Sequence, residues 1–112
     1  MVGQYISLYD PSTLVNVGNQ TGIVPNEYKL YSNYPNPFNP STKIRFAIPT
    51  NGVAVVKIYN SLGKEVSTLV NRYHTAGEYE YNFDASNLSS GVYFYTLTAG
   101  NYRETKKMVL LK

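Results

Sequence analysis

From residue 42 onward, apolar and polar positions alternate. Thr42–Ile48 reads TKIRFAI, with Ile44, Phe46 and Ile48 on one face and Lys43 and Arg45 on the other. A period of two marks a half-buried strand, because successive side chains of an extended chain point to opposite faces. Val53–Tyr59 (VAVVKIY) repeats the pattern, with Ala54, Val56 and Ile58 as its predicted inner set. Glu78–Phe83 sets Tyr79, Tyr81 and Phe83 against Glu78, Glu80 and Asn82. Gly91–Thr98 (GVYFYTLT) is β-branched and aromatic, the best candidate for a central strand, and Tyr102–Leu111 is predicted to return beside it after Ala99-Gly100-Asn101. Glu27–Tyr31 and Glu65–Val70 bring the total to about seven short strands.

Turn residues punctuate these runs. Pro49-Thr50-Asn51-Gly52 carries an Asn-Gly step, a strong tight-turn signal, and Ser61-Leu62-Gly63-Lys64 offers a glycine for φ > 0. No helical segment competes, and Ser86–Ser90 has room for one short turn only. Short strands at this spacing predict an all-β antiparallel sandwich. Residues 1–27 differ: PSTLVNVGNQTGIVPNE surrounds two small apolar patches with turn-forming residues. They read as a linker or an extended N-terminal arm whose patches can add a strand to an exposed sheet edge, in this copy or a neighbour. The domain is expected over 28–112.

Composition narrows the function classes. A chain of 112 residues is the size of one domain, and its 43% hydrophobic and 15% charged residues argue against a disordered tail. No apolar run approaches the ~20 residues of a membrane span, and the N-terminus lacks the basic and apolar regions of a signal peptide. The chain is therefore read as a cytoplasmic protein, a mature form or a fragment. Cysteine is absent, which removes disulfides, thiol catalysis and thiolate metal sites. Four of the ten cations (Arg103, Lys106, Lys107, Lys112) fall in the last ten residues, so the net charge of +3 describes a charged last strand rather than a nucleic-acid stripe.

Catalytic constellations are thin. His74 is the single histidine; it lies in Asn71–Gly77, a predicted loop, and is expected to be exposed there. No serine sits in a G-x-S-x-G elbow, and Glu78 and Glu80 alternate with aromatics as surface positions do. No enzyme, metal or cofactor is expected. Tyr79, Tyr81, Tyr93 and Tyr95 are expected mainly to fill the core, with a sugar-binding platform as the competing reading. Ile58 is expected in the core, where truncation to alanine would cost ~2–5 kcal/mol, and Gly91 is expected at φ > 0, where valine would be damaging.

Tyr34-Pro35-Asn36-Pro37-Phe38-Asn39-Pro40 is the most informative stretch. Three closely spaced prolines fix φ and remove three N–H donors, so it cannot be a central strand. It is predicted to be a rigid crossing pinned by Tyr34 and Phe38, with Asn36 and Asn39 closing local turns.

YPNPFNPSTKIRFAIP at 34–49, VVKIYNSLGKEVSTLV at 55–70 and FDASNLSSGVYFYTLTAGNYRETKKMVLLK at 83–112 together resemble the C-terminal sorting domains of type IX secretion cargo. The likeness covers residues 28–112, and its middle also resembles the immunoglobulin-like domain of flagellar hook-capping proteins. The resemblance implies a seven-stranded immunoglobulin-like sandwich that serves as an address. Cargo carrying it reaches the periplasm, crosses the outer membrane through the translocon to the cell surface or beyond, and meets an outer-membrane shuttle and a sortase-like protease. By position, Tyr34, Pro35, Asn36, Pro37 and Phe38 match the opening motif, and Gly63, Lys64, Glu65 and Val66 the middle one. Gly91, Val92 and Tyr93, with Lys107, Met108, Val109, Leu110, Leu111 and Lys112, match the closing pair. The resemblance makes the last six residues the part read by the translocon. Residues 1–27 would then be the end of the cargo and its linker. The alternatives are a structural or adhesive extracellular module, joined into a homo-oligomer or filament through residues 1–27, and a carbohydrate-binding module.

Overall fold

A computed structural model describes residues 24–112. The alternating runs become strands: β1 (Lys29–Leu30), β2 (Ser41–Ile48), β3 (Gly52–Asn60), β4 (Glu65–His74), β5 (Gly77–Asp84), β6 (Gly91–Ala99) and β7 (Tyr102–Leu110). They form two antiparallel sheets, β1-β2-β5 and β4-β3-β6-β7. This is an immunoglobulin-like sandwich, and the strand predicted to be central, β6, lies between β3 and β7. Of the arm or linker expected over residues 1–27, residues 1–23 lie outside the described residues.

The inner sets of both sheets close one core. Ile44, Phe46 and Ile48 meet Ala54, Val56, Ile58, Tyr95, Leu97, Met108 and Leu110, all buried. Each large aliphatic or aromatic group so removed from water stabilises the fold by roughly 1.5–3 kcal/mol. The buried tyrosines satisfy their hydroxyls on main-chain oxygens: Tyr95 donates to Tyr31 (2.7 Å), Tyr93 to Ser89 (2.7 Å) and Tyr79 to Thr75 (2.7 Å). Burial pushes the Tyr95 phenol up to about 12. With Tyr79, Tyr93 and Tyr95 buried and Tyr81 half-buried, these side chains offer no platform for a sugar, which overturns the carbohydrate reading at these residues.

Two local expectations also fail. Asn51-Gly52 makes no hairpin: it carries the chain from β2 in one sheet to β3 in the other, and Gly52 is not among the glycines with positive φ. The Asn51 Oδ1 instead accepts the Ala76 N–H (2.8 Å), joining the two crossings at this pole of the sandwich. His74 is not an exposed loop residue but the buried last residue of β4, paired with Gly52. The period of two breaks in β4 because Leu69 and Val66 are extra residues against β3, at its two register shifts.

His74 makes two hydrogen bonds, Nδ1 with the Arg72 carbonyl (2.9 Å) and Nε2 with the Tyr81 hydroxyl (2.6 Å). Since a carbonyl only accepts, Nδ1 carries the proton and neutral Nε2 accepts from Tyr81. The Phe46 and Tyr79 rings lie edge-on against it. Burial lowers its pKa from 6.5, opposed by the Arg72 carbonyl and aided by the Arg72 charge. A depressed folded pKa means that the unfolded chain takes up the proton first. This contribution to stability is therefore full above pH 6.5 and lost as pH falls through the folded pKa. The thermal midpoint is expected to drop between pH 6.5 and 5, above the carboxylate range, and His74→Gln is expected to flatten that drop. An equal slope in the variant would refute the assignment.

Candidate functional site: the C-terminal pole

β7 is the outer strand of its sheet, paired with β6 from Ala99↔Tyr102 to Gly91↔Leu110. Met108 and Leu110 are fully buried, whereas Lys107, Leu111 and Lys112 are exposed and Val109 is half-buried. An outer strand ordinarily leaves a row of backbone groups unpaired, but the end of β7 does not. The Phe38 N–H donates to the Val109 carbonyl (2.9 Å), and the Leu111 N–H donates to the Phe38 carbonyl (3.0 Å), forming a short parallel bridge. The Val109 N–H donates to the Asn36 Oδ1 (3.0 Å).

The sequence builds this clamp from the prolines outward. Pro35, Pro37 and Pro40 have no N–H, so Phe38 supplies one of the few main-chain donors in the segment. Its ring is buried 6.3 Å from that of Phe83. Asn33 Nδ2 and the Thr42 hydroxyl both donate to the Pro35 carbonyl (3.2 and 2.9 Å), and Asn33 also donates to Thr42 (3.1 Å). At the other end the Ala85 N–H donates to the Pro40 carbonyl (2.8 Å). Phe38 pins the crossing as expected, but Tyr34 does not. Its backbone exchanges two hydrogen bonds with Lys43, and its side chain stays 79% exposed. Asn36 closes no local turn either; its side chain reaches the last strand instead.

The remaining motif pieces lie at the same pole. In the β3–β4 hairpin, Asn60 Oδ1 accepts the N–H groups of Leu62 and Lys64 (both 3.0 Å), and Gly63 takes φ +85°. This geometry holds Leu62 at the tip, 91% exposed. Glu65 pairs with Lys57 (3.4 Å); the Thr68 hydroxyl (2.7 Å) is the larger cause of its lowered pKa. Val66 is half-buried and lines a 130 Å³ hollow with Phe83, Asp84 and Leu88. Gly91 faces Leu110, Val92 faces Val109 and Tyr93 faces Met108. Gly91 takes φ +155° with open space around it, so valine there is disfavoured by the backbone, not by crowding. Lys112 is held by its N–H to the Ser90 hydroxyl (2.9 Å) and its Nζ to the Ser86 carbonyl (2.6 Å). The Ser86 hydroxyl and N–H, with Lys112, hold the Asp84 carboxyl below its ordinary value.

The chain enters at the other pole. There Tyr28 stacks on Tyr102 (5.1 Å between centroids) and bonds the Thr50 hydroxyl (3.1 Å). Strands of nine residues, at about 3.3 Å each, hold the two poles roughly 30 Å apart. Among the described residues, no group of three His, Cys, Asp or Glu side chains is placed to hold a metal ion. Glu78 and Glu80 are engaged with the Tyr31 hydroxyl (2.8 Å) and Lys43 (3.5 Å). The contacts of Asn36, Ser86 and Ser90 with the chain end were not anticipated from sequence. The only available signal was a donor isolated among prolines.

Such a chain is an immunoglobulin-like module whose proline segment and β6 both meet the end of its last strand, with the β3–β4 hairpin at the same pole. Residues 32–111 match the family described as the secretion system C-terminal sorting domain, and the chain belongs to that family. A search of curated proteins found no match. The family is one of type IX sorting signals rather than enzymes. Membership implies an upstream cargo domain, interaction with the type IX machinery, and transit to the cell surface or extracellular space.

Proposed function

We propose that this domain directs a periplasmic cargo protein through the type IX outer-membrane translocon, and that the pole carrying Lys107–Lys112 is what the translocon reads. In this reading residues 28–112 form the sorting domain and residues 1–27 link it to the cargo. An outer-membrane shuttle receives the domain, and a sortase-like protease cuts before it. The supporting observation is the convergence of the family's separated motif pieces at the pole opposite to where the chain enters. The described chain begins near Tyr28, which stacks on Tyr102 at the pole away from Lys107–Lys112.

The test is export of a periplasm-directed fluorescent reporter fused to the full 112-residue chain. It is followed in a host with a working type IX system and in the same host without its translocon. Reporter on the surface or in the medium of the first, and in the periplasm of the second, is the expected result. A folded fusion retained in both hosts would overturn the proposal.

A further inference from the structure

We infer that the outer-membrane machinery docks on one defined patch of the folded domain. Its centre is the outer face of the four-stranded sheet where Val92, Phe94 and Tyr59 stand beside Lys107 and Val109. Its occupant is an apolar, acid-rimmed surface of the outer-membrane machinery. This inference rests on the sorting reading above.

Burial is the first step. Of the last six residues, Met108 and Leu110 are fully enclosed, so a receptor meeting the folded domain finds only Lys107, Val109, Leu111 and Lys112. Backbone pairing is closed to it at the same place. Leu110 faces Gly91 of β6, and the outward groups of Val109 and Leu111 are taken by Asn36 and Phe38. Recognition of this stretch by strand addition would have to displace the clamp, so side chains must carry it.

Register supplies their neighbours. Phe94 lies between Tyr59 and Lys107 on adjacent strands, and Val92 lies beside Val109. Alternation turns these five outward, opposite to Tyr93, Tyr95, Ile58 and Met108 in the core. Further along, the same two strands present Thr96 against Thr105 and Thr98 against Arg103. On β6 and β7 the apolar residues of this face lie at the C-terminal pole, while on β3 and β4 the face continues through Val55, Val53 and Tyr73 towards the other pole. Aromatic groups in a ring of weaker contacts are the usual anchors of an interface. Lys107 has no ion-pair partner among the described residues, so it stands free for a carboxylate.

The closing experiment uses the full-chain reporter in the host with a working system, comparing the parent with Val92→Glu, Val92→Thr and Lys107→Glu. A second reporter ends in Lys107–Lys112 alone. Melting of each purified chain controls for folding. At least tenfold loss of export is expected for Val92→Glu and Lys107→Glu, export within twofold of the parent for Val92→Thr, and none for the hexapeptide. Should Val92→Glu unfold, Lys107→Glu, at an exposed position, probes the same face. Full export of folded Lys107→Glu, or export driven by the hexapeptide alone, overturns the inference and leaves the sorting function standing. Retention of the parent overturns both.

Discussion

Ending the chain at Thr105 is expected to unfold the sandwich rather than simply erase its address. The missing segment carries Met108 and Leu110, both with no exposed surface, and removing either side chain alone would cost roughly 2–5 kcal/mol. It also strips β6 of its partners from Gly91 to Tyr95 and leaves Phe38 without its two main-chain bonds. A domain of this size is stable by only about 5–15 kcal/mol, so these losses are comparable with the whole. The truncated chain is expected to show no cooperative melt and to be cut rapidly by protease at 25 °C. A cooperative transition within a few degrees of the parent would refute this. The consequence for locating the signal is direct. Shortening the chain removes fold and address together, whereas single changes on the outer face at Lys107 or Val92 separate them.

The sandwich was legible wherever one face of a strand meets the core and the other meets water. Thr42–Ile48 and Glu78–Phe83 alternate for that reason, and β2 and β5 extend the predicted runs by only one or two residues. The end of β4 was not legible. Asn71, Arg72 and Tyr73 are all exposed on an outer strand, and two extra residues upstream shift the phase, so His74 loses its sequence context while keeping its place against Phe46. At Asn51-Gly52 the break between two strands was legible, but which sheet receives the next strand depends on pairing partners elsewhere. The clamp lay furthest from view. It joins residues some 70 positions apart, partly through one side-chain oxygen, and no periodicity records such a contact.

Replacing Phe38 by alanine is expected to cost about 3–5 kcal/mol, the largest effect of any single change in the proline segment. The ring is 2% exposed and fills the space beside Phe83, while its own backbone holds Val109 and Leu111. Asn36→Ala should cost only about 0.5–1.5 kcal/mol, because it removes one solvent-exposed side-chain hydrogen bond to the Val109 N–H. Urea unfolding separates the two. Amide exchange at Leu111 supplies the local readout: protection is expected to be lost in Phe38→Ala and largely kept in Asn36→Ala. A Phe38→Ala cost below 1 kcal/mol, with Leu111 still protected, would mean that the segment merely lies against the strand. With the expected result, the pole holding the last residues is complete only when the start and end of the domain have met. A chain whose opening segment has not folded against β7 then lacks the ordered face, and display of the address becomes conditional on folding.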